Sequence, residues 1–313
     1  MIFKKILKMD ALLSAVRIIK SRLCTSVKYA YPNFYITLPS DHKLPIYQQK
    51  YINYDRFLPH LVKHLEPDNL VIDVGANCGD TLAAMACENR NLKYICIEPD
   101  NIFYSYLEKN ISRIQASGVK NIYSVKALIG KEISNVTLAG SGGTKHATPN
   151  SDSSTIEPIY ISRSLDELLS TELKHLSGDL KLLKSDVDGF DYDVLNSAES
   201  NIKKHNPMLF FECQCDNEDQ KKNYLLTLEM LLSAGYEDFW LFDNFGEFLL
   251  HTTEIKNISM LIEYVWRQKN HSSTRTIYYF DILCCTKDSK QFITDVIDDY
   301  IEKISLKNEL LYR

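Results

Sequence analysis

Three acids, each set at the end of an apolar run, carry the chemistry this sequence offers: Asp73 in VIDVGANCGD, Glu98 in KYICIEPD and Asp186 in LKSDVDG. A strand that ends in Asp73, turns at Gly75 and enters a helix after Gly79 leaves backbone N–H groups free, and the glycines let a ligand approach the main chain. The spacing D-x-G-x-x-x-G places Asn77 where a dinucleotide fingerprint needs its middle glycine against a pyrophosphate, which disfavours a diphosphate guest. Asp73 would repel phosphate but suits an ammonium and its amino-acid tail, which selects S-adenosylmethionine over NAD. Glu98, 25 residues after Asp73, can accept hydrogen bonds from both hydroxyls of a ribose, a contact the two cofactors share. Asp73, Gly75, Asn77, Gly79 and Glu98, with Asp186 beside them, are therefore the candidate cofactor residues.

A second cluster follows. SDVDGFDYD gathers Asp186, Asp188, Asp191 and Asp193 just past one strand pattern, and Glu212 closes the next, PMLFFE. In an open parallel sheet these carboxyl ends surround one crevice. Moving a methyl group to a neutral hydroxyl needs an aligned oxygen and a group to take its proton. Asp186 is the candidate base, with Asp188 and Glu212 as orienting acids or as oxygen ligands for a divalent, magnesium-like ion. The plain alternative has these acids cap the helix that follows, which suits Asp191 and Asp193. A calcium loop is dismissed because its closing glutamate is missing. Lys184, on the same strand face as Asp186, can anchor a substrate group, depress the pKa of an acid or form a structural ion pair. His146, next to Lys145 in LAGSGGTKHATPNSDSSTIE, is the alternative base, against the ordinary fate of a solvated loop histidine. Tyr47, Tyr51 and Tyr54 could wall the cofactor, but core packing is the preferred reading.

The elements that must position these residues alternate. NLVIDVG has the continuous apolar look of a buried parallel strand. A helix from Asp80 to about Asn89, KYICIEPD, a helix from Tyr104 to Ala116 and NIYSVKALIG follow it. DLKLLKSDVDG, PMLFFECQC, EDFWLF and TIYYFDILCC are further strands, separated by helices that include Glu218 to Ala234, NISMLIEYVWRQ and a terminal amphipathic helix. Such alternation builds a doubly wound α/β sheet covered on both faces. Before it, a strand pattern at Asn33 to Leu38 and a helix from about Tyr47 to Leu65 are predicted. Leu138 to Glu157 reads as a long loop with the composition of an active-site lid.

Composition bounds the class. The 313 residues are 45% apolar and 25% charged, enough for a sizeable core and too apolar for disorder. A net charge of −5 offers no field for a phosphate backbone, so nucleic acid is not an expected partner. The eight cysteines show no paired metal spacing and fit a reduced, cytoplasmic chain, with Cys96, Cys284 and Cys285 as small buried hydrophobes. Up to residue 30 there are seven Lys/Arg against one Asp, and MIFKKILKMDALLSAVRIIKSRL has an amphipathic, basic helical pattern. It lacks the apolar run of a membrane span and the cleavage site of a signal peptide. Packing on the domain is preferred for it over peripheral contact of residues 1–24 with anionic lipid.

VIDVGANCGD, CIEPD, SLDELL, LKSDVDGFDYDVLNSAE and PMLFFE stand in the order and spacing of the FkbM family of S-adenosylmethionine-dependent methyltransferases, which the chain resembles over roughly Leu70 to Glu212. The likeness implies a Rossmann-like, seven-stranded, mostly parallel class I methyltransferase sheet over 66–313, preceded by a helical extension, 1–65. It also implies O-methyl transfer to a hydroxyl of a sugar, a glycan or glycolipid, or a natural product. Asp188 and Asp191 stand where the family more usually shows Glu. The rival readings are an NAD-dependent oxidoreductase and a catalytically silent adaptor in polysaccharide assembly; thermal stabilisation by one cofactor or by none separates them.

Overall fold

The computed structural model describes residues 26–131, 136–139, 146–149, 160–176, 178–271 and 277–311. Within them the strands run in chain order as β1 (Ser26–Ala30), β2 (Tyr35–Pro39), β3 (Leu70–Val74), β4 (Lys93–Ile97), β5 (Ile122–Val125), β6 (Leu128–Ile129), β7 (Val136–Ala139), β8 (His146–Pro149), β9 (Ser162–Arg163), β10 (Leu180–Ser185), β11 (Met208–Cys213), β12 (Tyr236–Asp243), β13 (Phe248–Thr252) and β14 (Phe280–Thr286).

Eight of these form one sheet in the order β13-β12-β14-β11-β10-β3-β4-β5. The five from β5 to β11 are parallel, and β14 enters antiparallel between β11 and β12. All five residues of β3 are buried, as expected of a central strand covered on both faces. Alternate residues feed opposite cores. Val71, Tyr94 and Leu182 pack with the helices Asp80–Glu88 and Asn101–Ala116 and with Lys290–Leu311, whereas Ile72, Ile95 and Leu183 pack with Asp191–Ser197, Glu218–Ser233 and Ile255–His271. The eighth strand, beyond the seven expected, is β13. It pairs with β12 across a tight turn at the sheet edge, where every second residue faces solvent and the apolar signal is weak.

Three expectations change before and between these strands. The predicted helix from Tyr47 to Leu65 is two short helices, Leu44–Lys50 and Phe57–Val62. The break contains Asp55 in a left-handed conformation (φ 56°), and the Asn53 carbonyl lies against Gly246, so close that a Cβ on that glycine would sit 2.2 Å from it. Tertiary contact with the β12–β13 turn outweighs local helical periodicity there. The strand pattern at Asn33 to Leu38 becomes β2, paired with the unforeseen β1. The Leu138 to Glu157 loop contains β8 and the end of β7, which pair with each other. Residues 1–25, and with them the amphipathic helix, lie outside the described residues. Among those described, no helix is long and apolar enough to cross a membrane.

One buried amide ties the N-terminal hairpin to the future site. Asn110 accepts from Thr37 N (2.8 Å) and donates to Thr37 O (2.9 Å) and to Cys78 O (2.8 Å), so β2, the helix Asn101–Ala116 and the glycine turn hold one another in place.

Candidate active site

Where β3 ends, Gly75 N and Ala76 N both donate to Ile97 O at 3.0 Å, turning the chain toward β4. Gly75 has φ 78°, and a Cβ there would lie 2.0 Å from the Asp186 carbonyl. The first task of this glycine is thus to let the main chain after β10 close on the turn; Asp186 N in return donates to Val74 O at 3.1 Å. Gly79 (φ 79°) makes room for Leu107. Asn77, left-handed at φ 49°, sends its N–H to Glu98 Oε2 at 2.8 Å, while Glu98 Oε1 accepts Asp100 N at 2.8 Å. Burial raises the Glu98 pKa to about 7 in spite of these two donors. Its carboxylate is therefore held in place by two main-chain donors.

Asp73 is 1% exposed, and Lys184 Nζ lies 2.9 Å from its Oδ1, 3.4 Å from Asp186 Oδ2 and 3.4 Å from Gly75 O. Lys184 and Asp73 are register partners across β10 and β3. Burial alone would lower the Lys184 pKa, but the two carboxylates more than offset it and hold the ammonium charged. Of the roles open to Lys184, the structure thus shows the ion pair, and it places Asp73 beneath the turn with a cation already beside it.

The acids after β10 separate by function. Asp191 Oδ1 accepts Ser185 Oγ (2.6 Å) and Val187 N (3.2 Å), and its Oδ2 accepts the Tyr224 hydroxyl (3.3 Å). Asp193 Oδ2 accepts Lys131 N at 3.0 Å. The sequence pattern suits both to capping the following helix; their hydrogen bonds here instead pin neighbouring loops, because the helix Asp191–Ser197 is buried where those loops converge. The turn between is left-handed at Asp188 (φ 54°) and Gly189 (φ 91°). It delivers Asp186 and Asp188 to a cleft of about 1090 Å³ that is also lined by Gly75, Asn77 and Glu212. Asp73, Gly79 and Glu98 stand behind that lining. His146 opens β8 opposite Ala139, and neither its side chain nor Lys145 is among what the structure describes.

Tyr47, Tyr51 and Tyr54 line this cleft, with Tyr51 stacked on Phe245 at 3.9 Å, and Tyr54 also packs against the core as the sequence reading prefers. Sequence reasoning missed Asp281 and Tyr279, which come to the same wall from β14 and the residue before it. Their signal was a lone acid inside an apolar strand, FDILCC, which an edge-to-centre crossover turns toward the crevice. Asp188 is pushed up to about 8, and Glu212 and Asp281 well above the usual carboxylate range, by burial first and then by repulsion from Asp186 and other acids. Asp186, Asp188 and Glu212 do not converge as metal ligands. Among the described residues, the His/Cys/Asp/Glu group with donor atoms within 4.8 Å of one another is His60, His64 and Asp299, none of which lines the cleft.

Beside Gly75 a small apolar slot of about 30 Å³ opens between Val74, Pro99, Ala127, Leu128, Val187 and Phe190. An apolar slot, the buried Glu98 carboxylate and an acid-lined cleft thus surround the Gly75 turn, a donor set of the kind a cationic nucleoside such as S-adenosylmethionine calls for.

A doubly wound sheet with one antiparallel strand slipped between β11 and β12, and a glycine turn after its central strand, is a class I S-adenosylmethionine-dependent methyltransferase fold. Within that class the chain belongs to the methyltransferase FkbM domain family, whose model matches residues 73–237. It is similar to the crystal structure of methyltransferase FkbM from Methylobacillus flagellatus KT, with 14% identity, a TM-score of 0.41 and coverage of 77% of this chain and 58% of that one. It is also similar to M. jannaschii TYW2 in complex with AdoMet, with 9% identity, a TM-score of 0.42 and coverage of 83% and 85%. The chain thus spans less than two thirds of the Methylobacillus protein. Among curated proteins none matches this sequence.

Proposed function

We propose that this chain methylates a hydroxyl of a sugar, glycan or natural product, using S-adenosylmethionine. The observation that carries the reading is Asp186. Its side chain is 54% exposed, lines the cleft, and is joined through its main chain to the Gly75 turn. When bound, the cofactor supplies an electrophilic methyl group on a sulfonium. Glu98 would hold the ribose and the slot beside Pro99 the base. Tyr47, Tyr51 and Tyr54, which line the cleft, narrow it and limit water at the acceptor oxygen. Asp186 accepts the acceptor's hydroxyl proton on a carboxylate oxygen, and Lys184, charged and 3.4 Å away, keeps that carboxylate oriented. Coupling to the Gly75 turn sets the base at a fixed place relative to the cofactor site, which is the entropic part of the rate gain.

S-adenosylhomocysteine at a hundred times its dissociation constant should stabilise the folded chain by about 2.7 kcal/mol, read as a raised melting temperature. NAD should leave it unchanged. Stabilisation by NAD alone would sink the methyltransferase reading in favour of the oxidoreductase, and stabilisation by neither would favour the silent adaptor.

A further inference from the structure

Glu212 and Asp281 are Cα partners across the antiparallel pair β11–β14. Two charged carboxylates directly opposite one another would destabilise the sheet, so the pair by itself keeps its protons, and a cation arriving between them would let the acids ionise and release those protons to solvent. Glu212 is 4% exposed, and neither carboxylate has a hydrogen bond or ion pair among the described residues. The nearest buried cation, Lys184, is engaged with Asp73 and Asp186. Both acids line the cleft together with Tyr54 and Tyr279. Repulsion from Glu212 and Asp281 also contributes to the raised pKa of the Tyr279 hydroxyl, after burial and Tyr54, which places the four groups in one another's fields.

We infer that this wall is the seat of a cationic amine on the acceptor: Glu212 and Asp281 take the ammonium, and Tyr54 and Tyr279 offer it their ring faces. The inference rests on the proposed sugar methylation and specifies its substrate as an amino sugar or another hydroxyl-bearing amine. A carboxylate pair with aromatic neighbours is the combination that binds alkylammonium, through charge-assisted hydrogen bonds and cation–π attraction. A divalent ion asks instead for several converging oxygens, and no such group lies here among the described residues. The cofactor's own sulfonium is not the guest. The sheet order β3-β10-β11-β14 sets Glu212 two strands beyond the Gly75 turn and Asp281 three, roughly 10 and 14 Å at the usual spacing. An acceptor held by its amine there would turn its hydroxyl back toward Asp186.

The test titrates glucosamine and glucose into the full chain at pH 6.5, with and without S-adenosylhomocysteine. Glucosamine should bind at least about tenfold more tightly than glucose. In Glu212→Gln and in Asp281→Asn that advantage should vanish, while affinity for S-adenosylhomocysteine stays within about twofold of the wild-type value. Equal affinity for the two sugars, binding of neither, or an advantage that survives in both variants overturns the inference. So does magnesium chloride, if it stabilises the wild type and not Glu212→Gln, since the seat then belongs to a metal. Failure of S-adenosylhomocysteine to bind condemns the methyltransferase reading separately, and the titrations without it still decide for or against the amine seat.

Discussion

In the proposed reaction, Asp186 is the side chain that takes the proton, and its surroundings say which measurement isolates it. The main chain at this position is bound to the Gly75 turn, whereas the carboxylate faces the cleft. Asp186→Asn therefore keeps the main-chain closure of the turn and removes the proton-accepting carboxylate together with its ion pair to Lys184, which retains Asp73. Methyl transfer should fall by about two orders of magnitude or more, and S-adenosylhomocysteine should still bind. Full turnover in this variant would remove Asp186 from the proton-accepting role. Asp191 makes a useful contrast. Five residues from the cluster's first acid, its sequence position suits a helix cap, yet its three hydrogen bonds and complete burial make it the peg that gives the SDVDG turn its form. The residue type was legible, but the partner could not be, because Tyr224 arrives from a helix 33 residues away.

At the scale of elements, the joint between β3 and β10 decides whether the two halves of the site meet. Lys184 and Asp73 are neighbours across that joint, both almost wholly buried. Removing one member of such a pair leaves a charge without compensation in the interior, and Lys184→Met should cost about 3–5 kcal/mol in urea denaturation. Adding Asp73→Asn should restore much of that loss, since the stranded charge goes with it. A double variant as unstable as the single one would show that the lysine stem, not the ion pair, holds the strands. The two-residue spacing of Lys184 and Asp186 was readable in sequence. That Asp73 would be the partner depended on β10 lying beside β3, a pairing of segments more than a hundred residues apart.

For the molecule as a whole, the site is an acidic concavity in a chain of modest net charge, and stability against pH should show it. Glu98 and Asp191 are raised to about 7, Asp188 to about 8 and Glu212 well above the usual carboxylate range, in each case chiefly by burial. These folded-state values lie above the ordinary carboxylate values of about 4, so between roughly pH 4 and pH 8 the folded chain holds protons that the unfolded chain has released. Their contribution is complete below that window and is lost as pH rises through it. The urea midpoint of the ligand-free chain should therefore decline from pH 5 to pH 8, and decline less in Glu212→Gln. A midpoint that rises over this range would contradict the protonated state assigned to the cleft.

The order of apolar runs, the acids that end them and the left-handed glycines were enough to read the sheet, the cofactor turn and the FkbM likeness, because a parallel strand buried on both faces and a helix after a glycine turn are local patterns. The number of strands, the split of the Tyr47 to Leu65 helix and the acceptor wall were decided only in three dimensions. An edge strand is half exposed and writes a faint signal, a helix yields where a distant turn presses on it, and Asp281 becomes part of a site only because β14 runs antiparallel beside β11. Local sequence sets which groups are available; long-range pairing sets which of them share one cleft, since strand neighbours in a doubly wound sheet are not neighbours along the chain.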